Sequence, residues 1–143
     1  MTTVAENRVQ YINPEGASEA QGQYAHASRA PNIPLYFIAG QLAVGSKGEI
    51  VGKDDFAAQF KQVFDNLGAV LKGLNLDFND IVRFNTYVKR PEHINLFKKL
   101  RSEAFPSLFE TELFAPNTLL VIDRFVEEEF LLEVEAVAYA RNG

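Results

Sequence analysis

The stretch from Asp54 to Gly73, DDFAAQFKQVFDNLGAVLKG, decides the fold. Phe60, Val63, Phe64, Leu67, Val70 and Leu71 fall 4, 7, 8, 11, 14 and 15 residues after Phe56, which places all of them on one stripe of an α-helix. Asp54 is placed to cap the N-terminus through its carboxylate, and Asp55 suits the positive end of the helix dipole. Gly73 is placed to close the C-terminus in a left-handed conformation. A helix with a single apolar stripe needs a flat apolar surface to lie on, and the flanking sequence has to supply it.

Downstream, Val82, Phe84, Thr86 and Val88 alternate with Arg83, Asn85 and Tyr87, the period of a half-buried strand. Pro91 opens a second helix running to about Phe105, where Pro106 is expected to stop it. Two more strands, Thr118 to Phe125 and Phe130 to Ala140, are joined by the acidic turn Val126-Glu127-Glu128-Glu129. Upstream, a short strand around Arg8 to Ile12 leads into a polar loop, Asn13 to Gln23. Strands from Tyr24 to Arg29 and from Leu35 to Ala39 follow, separated by the turn Pro31-Asn32-Ile33-Pro34. Gly40, Gly45, Gly48 and Gly52 read as turns, since their spacing fits neither G-x-G-x-x-G nor the Walker phosphate loop. The order predicts an α+β fold in which two amphipathic helices cover one face of a mixed sheet of about six strands. The last strand carries Leu132, Val134, Ala136 and Ala138 on one side and Leu131, Val137 and Tyr139 on the other. A sheet apolar on both faces, with helices for one, points to self-association.

Composition narrows the function classes. The 143 residues suit a single domain spanning 1–143, and 47% hydrophobic with 23% charged residues is ordinary for a globular chain. A net charge of −5 with scattered Lys and Arg gives no footprint for nucleic acid. The absence of cysteine removes disulfides, thiolate nucleophiles and Cys-type metal sites, and two distant histidines leave little for a metal. No metal or cofactor is therefore expected. Met1 to Gln10 lacks a basic and then apolar leader pattern, and no window approaches the roughly 20 apolar residues that span a bilayer, so a cytoplasmic protein without membrane partners is expected.

Tyr24-Ala25-His26-Ala27-Ser28-Arg29, followed by Leu35-Tyr36-Phe37-Ile38-Ala39-Gly40-Gln41, resembles the opening pattern of the RidA (YjgF) family, a Tyr-Ser-x-Ala run leading to a strand that ends Ser-Gly-Gln. The resemblance continues through Ala58-Gln59, Asn66-Leu67, Leu71, Asp80-Ile81-Val82 and Tyr87-Val88 to Leu132-Glu133-Val134-Glu135-Ala136-Val137-Ala138, covering about residues 20 to 140. It implies a YjgF-like, chorismate-mutase-like homotrimer with a small-molecule cleft at each subunit interface. Family members with the full pocket hydrolyse reactive imines and enamines without cofactor or metal. An Arg holds the substrate carboxylate and a Glu positions water, so that charge placement carries the reaction.

Under that resemblance Glu133 and Tyr24 are the catalytic positions, and Asn117, Ala39, Gly40, Lys98 and Thr118 the substrate-binding ones. The family Arg follows Pro-x, and here the run Ala115-Pro116-Asn117-Thr118 puts Asn117 in its place. A guanidinium contact contributes about 1.5 to 3 kcal/mol and a neutral amide about 0.5 to 1.5, so an amino-acid-derived imine should be held less firmly. Ala39 stands where a Ser is usual, and Lys98 where a helix Asn is usual. Lys98, Arg29 and Arg124 are candidates to replace the missing cation, although each reads more readily as a surface charge or an intersubunit ion pair. Glu133 and Glu135, two apart on a strand, share a face, where like charges raise one pKa if enclosed; a solvated or interface-paired couple is the alternative. His26 would share Tyr24's face as an acid or base or serve structurally, and His93, in the first turn of the second helix, reads as a surface residue. Two function classes follow: a hydrolase of a small imine or enamine, and a non-catalytic trimer of the same fold that binds a small molecule or another protein.

Overall fold

The computed structural model describes residues 8–20 and 22–141. Six strands form one sheet in the order β1-β2-β3-β6-β4-β5. They are β1 (Gln10–Ile12), β2 (Ala27–Arg29), β3 (Leu35–Gln41), β4 (Ile81–Val88), β5 (Asn117–Val121) and β6 (Leu132–Tyr139), with helices α1 (Phe56–Gly73) and α2 (His93–Leu108) between them. Neighbouring strands are antiparallel except β4 and β5, which run parallel. A parallel pair cannot be closed by a hairpin, and α2 supplies the crossover it needs.

The stripe read from the sequence is the one that packs. Phe56, Phe60, Val63, Phe64, Leu67, Val70 and Leu71 are all buried, as are Leu132, Val134, Ala136 and Ala138 of β6. Phe64 lies at the centre of an aromatic cluster, its ring 4.7 Å from Phe60, 5.6 Å from Phe105 and 6.3 Å from Phe84, so both helices and β4 meet on tilted and edge-on rings. Two buried polar residues of α1 tie loops to this layer. Gln59 donates to the carbonyls of Gly52 and Glu129 and accepts from the Leu131 N–H, while Asn66 donates to the carbonyls of Leu42 and Val44.

Several expected boundaries move. Asp55, not Asp54, caps α1, accepting from the Ala58 N–H at 3.0 Å, because Asp54 turns through a positive φ of 58° just before it. Gly73 stays helical and Asn75 takes the left-handed conformation (φ 61°). A side chain at Gly73 would place Cβ 2.7 Å from the Glu15 carbonyl oxygen, so this glycine admits the Pro14–Glu15 loop rather than ending the helix. Pro106 lies inside α2, where its missing N–H costs one bond in the last turn and Phe109 still donates to the Phe105 carbonyl. Pro91 opens a turn from which α2 starts at His93. A register shift between Ile81 and Arg83 leaves Val82 exposed and buries Ile81 in its stead. The strands also trim at their ends: residues 24–26 lead into β2, residues 122–125 leave β5, and Gly40 belongs to β3 instead of a turn.

Candidate functional site

The helix-free face of the sheet carries an ordered polar cluster. Directly paired residues share a face, so the register Glu133–Tyr87–Leu120 and Glu135–Asn85–Thr118 lays these side chains in two adjacent rows. The Tyr87 hydroxyl donates to Glu135 Oε1 at 2.6 Å and Asn85 Nδ2 donates to the same oxygen at 3.1 Å. Arg83 donates in turn to Asn85 Oδ1 at 2.7 Å. The bond to Glu135, burial and the charges of Glu135 and Glu133 hold the Tyr87 hydroxyl above its usual range. At Glu133, burial first and then the charge of Glu135 raise the pKa above the ordinary carboxylate value. The Glu133 side chain lies flat against Gly40, where a Cβ would fall 2.7 Å from the carboxyl carbon; only glycine leaves that space open.

Beside this cluster, at the β1–β2–β3 end of the sheet, is a cleft of about 550 Å³ whose lining includes Tyr24, Ser28, Phe37, Ala39 and Glu135. Tyr24 meets His26 edge-on at 5.9 Å between ring centroids. His26 is buried: its Nε2 is 2.8 Å from the Ser18 carbonyl and its Nδ1 is 3.1 Å from Gln41 Nε2, which also donates to the Ala39 carbonyl. The carbonyl partner requires a proton on Nε2, leaving Nδ1 as the acceptor. With both ring nitrogens engaged, His26 braces the segment that presents Tyr24 and Ala39 and is not poised as a free acid or base.

Asn117 and Lys98 lie elsewhere. Both line a second cavity of about 530 Å³ between α2 and the 112–117 segment, on the helix side of the β5 edge. Asn117 Oδ1 accepts from the buried Thr86 hydroxyl at 2.8 Å. Thr118, next along β5, points to the opposite face and is exposed. Within one chain, then, Tyr24 and Ala39 line one cleft with Glu135, Glu133 lies against Gly40 on the same face of the sheet without lining that cleft, and Asn117 and Lys98 line the cavity on the other face. Arg29 and Arg124 line neither cavity, and Arg124 pairs with Glu128 at 3.3 Å within its own turn. His93 is not a plain surface residue: it stacks on Phe56 at 4.4 Å, its Nδ1 is buried without a partner, and burial lowers its pKa. Among the described residues no group of three or more His, Cys, Asp or Glu is placed to hold a metal.

Residues 15–140 match the family model described as Endoribonuclease L-PSP. A RutC family protein of Pyrococcus horikoshii is 33% identical over 126 residues, covering 87% of this chain and 93% of that protein. The chain belongs to the RidA/YjgF family. Among solved structures of this family's fold, the Escherichia coli YjgF product is 26% identical with a TM-score of 0.78, covering 92% of this chain and 99% of that one. The E. coli TdcF structure with bound serine is 21% identical, also at a TM-score of 0.78, over 91% and 98% of the two chains. No described helix is long and apolar enough to cross a membrane.

Against this RidA/YjgF frame, sequence reasoning passed over Arg83, Asn85 and Tyr87 as candidates. They were legible as the polar half of the β4 alternation; what marks them is the register that sets Asn85 opposite Glu135 and Tyr87 opposite Glu133, with Arg83 bonded to Asn85, which no local pattern encodes.

Proposed function

We propose that this chain is a RidA-like hydrolase of a small imine or enamine, working as a cytoplasmic homotrimer of one domain per chain. An enamine first tautomerises to the imine, its carbon gaining a proton and its nitrogen losing one; water then adds to the C=N carbon while the nitrogen takes up a proton, and the resulting carbinolamine expels ammonia to leave a carbonyl product. Glu133 orients the water and accepts its proton. A carboxylate with a raised pKa is a stronger base than an ordinary one, and the Gly40 gap fixes where it sits. This enclosed carboxylate beside Glu135 carries the reading. Tyr24 and Ala39 line the cleft that Glu135 borders.

The cleft lies at the β1–β2–β3 end of the sheet and Asn117 at the β5 edge, so a site that uses both draws them from two copies of the chain. The helix-free face favours such assembly, with Phe37 44%, Leu120 49% and Tyr139 49% exposed on one side of the sheet. The TdcF structure with serine supports an amino-acid-sized ligand. Despite the family model's description, a face carrying Glu133 and Glu135 on a chain of net charge −5 offers a polyanion such as RNA little attraction.

The test couples a dehydratase that releases 2-aminoacrylate to this protein and follows hydrolysis with and without it. Acceleration lost in Glu133→Gln is expected. No acceleration by an intact oligomer overturns the reading in favour of ligand binding without turnover. That second reading is favoured by Asn117, whose oxygen is already engaged by Thr86 and which has no guanidinium to hold a carboxylate.

A further inference from the structure

We propose that Tyr87, Asn85 and Arg83 are positioning residues that hold the Glu135 carboxylate fixed beside Glu133, so that Glu133 alone of the pair receives the proton water gives up on adding to the C=N carbon. This division of labour rests on the hydrolase reading for its place in turnover. The bonding of the two acids is unequal. Tyr87 is paired across the ladder with Glu133, yet its hydroxyl reaches diagonally along β6 and donates to Glu135 Oε1 at 2.6 Å. Asn85, the direct partner of Glu135, donates to the same oxygen at 3.1 Å. Arg83 Nη2 holds Asn85 Oδ1 at 2.7 Å, which turns the amide so that its NH2 group faces Glu135. Glu133, lying against Gly40, has no donor among the described residues.

Two donors converging on one oxygen commit Glu135 to accepting and fix where its charge stands. From there it acts on Glu133, two residues away on the same face, and adds to burial in raising the pKa of Glu133. Tyr87 keeps its role as donor through the neutral range, because the bond to Glu135, then burial and the two carboxylate charges, raise its hydroxyl above the usual value. Arg83 makes no ion pair with either carboxylate, so nothing at contact distance cancels the charge of Glu135. The other ionisable groups about the pair are Lys89, whose Nζ is tied to the Glu128 carbonyl at 2.6 Å, Tyr139 farther along β6, and Tyr11 and Tyr24 in the cleft that Glu135 borders. From β3 and β5 the neighbours are Phe37, Ala39, Thr118 and Leu120, none of which ionises.

The test uses the full chain labelled with 13C at the glutamate side-chain carboxyl and titrated by NMR. The Glu133 and Glu135 signals are those missing from Glu133→Gln and Glu135→Gln. Hydrolysis of 2-aminoacrylate is followed against pH in parallel, and the oligomer is checked by size. Tyr87→Phe removes the hydroxyl and keeps the ring. In this variant the Glu133 midpoint is expected to shift to lower pH while staying above the ordinary carboxylate value, since burial remains; Glu135→Gln should shift it farther. Asn85→Ala should move it the same way, and serves in place of Tyr87→Phe if that variant fails to assemble. The acid limb of kcat/KM should shift to lower pH with the midpoint, because the base works in its ionised form. A Glu133 midpoint equal to the parent's overturns the proposal whatever happens to the rate, because a merely structural loss lowers turnover without moving a titration. An acid limb that stays in place while the midpoint moves also overturns it. A midpoint that moves as expected in a protein without turnover at any pH supports the positioning and removes the hydrolase reading.

Discussion

Replacing Gln59 by leucine tests how the sheet is fixed to α1 at the point where β6, and therefore Glu133, begins. Gln59 is fully buried. Its side chain makes three bonds, to the Gly52 carbonyl at 3.1 Å, the Glu129 carbonyl at 2.8 Å and the Leu131 N–H at 2.8 Å. Leucine fills nearly the same volume but returns none of them. Each such bond contributes about 0.5 to 1.5 kcal/mol net, and the Leu131 N–H, left without an acceptor, adds a desolvation cost of about 1 to 3 kcal/mol. Part of this is offset by leucine's greater apolarity, and a loss of about 3 kcal/mol is expected. For a chain of this size that corresponds to a fall in Tm of roughly 6 to 12 °C. Urea unfolding at fixed protein concentration measures it, since assembly makes stability depend on concentration. A loss under about 1 kcal/mol, with the m-value unchanged, would mean that the three bonds contribute little beyond what water supplies in the unfolded chain.

Gly40→Ala drives a methyl group into the Glu133 carboxyl, so the side chain must leave its seat; a fall of about 10²-fold in kcat with a folded oligomer is expected, and an unaltered rate would detach Glu133 from the chemistry. His93 predicts an acid-side loss of stability. Its folded pKa lies below the unfolded value of about 6.5, so the unfolded chain binds the extra proton; the stabilisation is complete above that value and declines as pH falls through it toward the lowered folded pKa. His93→Phe should flatten the stability profile between about pH 7 and 5, and an identical profile in the variant would show that His93 titrates as it does in water.

The α1 stripe and the β6 alternation were readable because each is a local period written in one segment, and both ended buried as that period required. Termini were less legible, for reasons particular to each. Gly73 is shaped by the Pro14–Glu15 loop far away in sequence, and Pro106 survives inside α2 because Phe105 and Phe109 hold the last turn in the aromatic cluster. In the site, Gly40 and Glu133 could each be named from the chain, but their contact belongs to the β3–β6 pairing. The bracing role of His26 depends on the Ser18 carbonyl and Gln41, and the isolation of Asn117 from Glu133 depends on which way β5 presents its side chains. Neither is a property of spacing.

The strand order places β6 between β3 and β4, although it is the last strand in the chain. During synthesis, then, the sheet waits for its keystone. Until Leu132–Tyr139 clears the ribosome, β3 and β4 have no neighbour to join them, and each presents an open row of backbone donors and acceptors to whatever strand is nearby. Native pairing across a separation of about 100 residues is a slow contact to make, so nascent chains are exposed to misassociation late in translation, and a stop codon before β6 should yield insoluble protein instead of a smaller folded one.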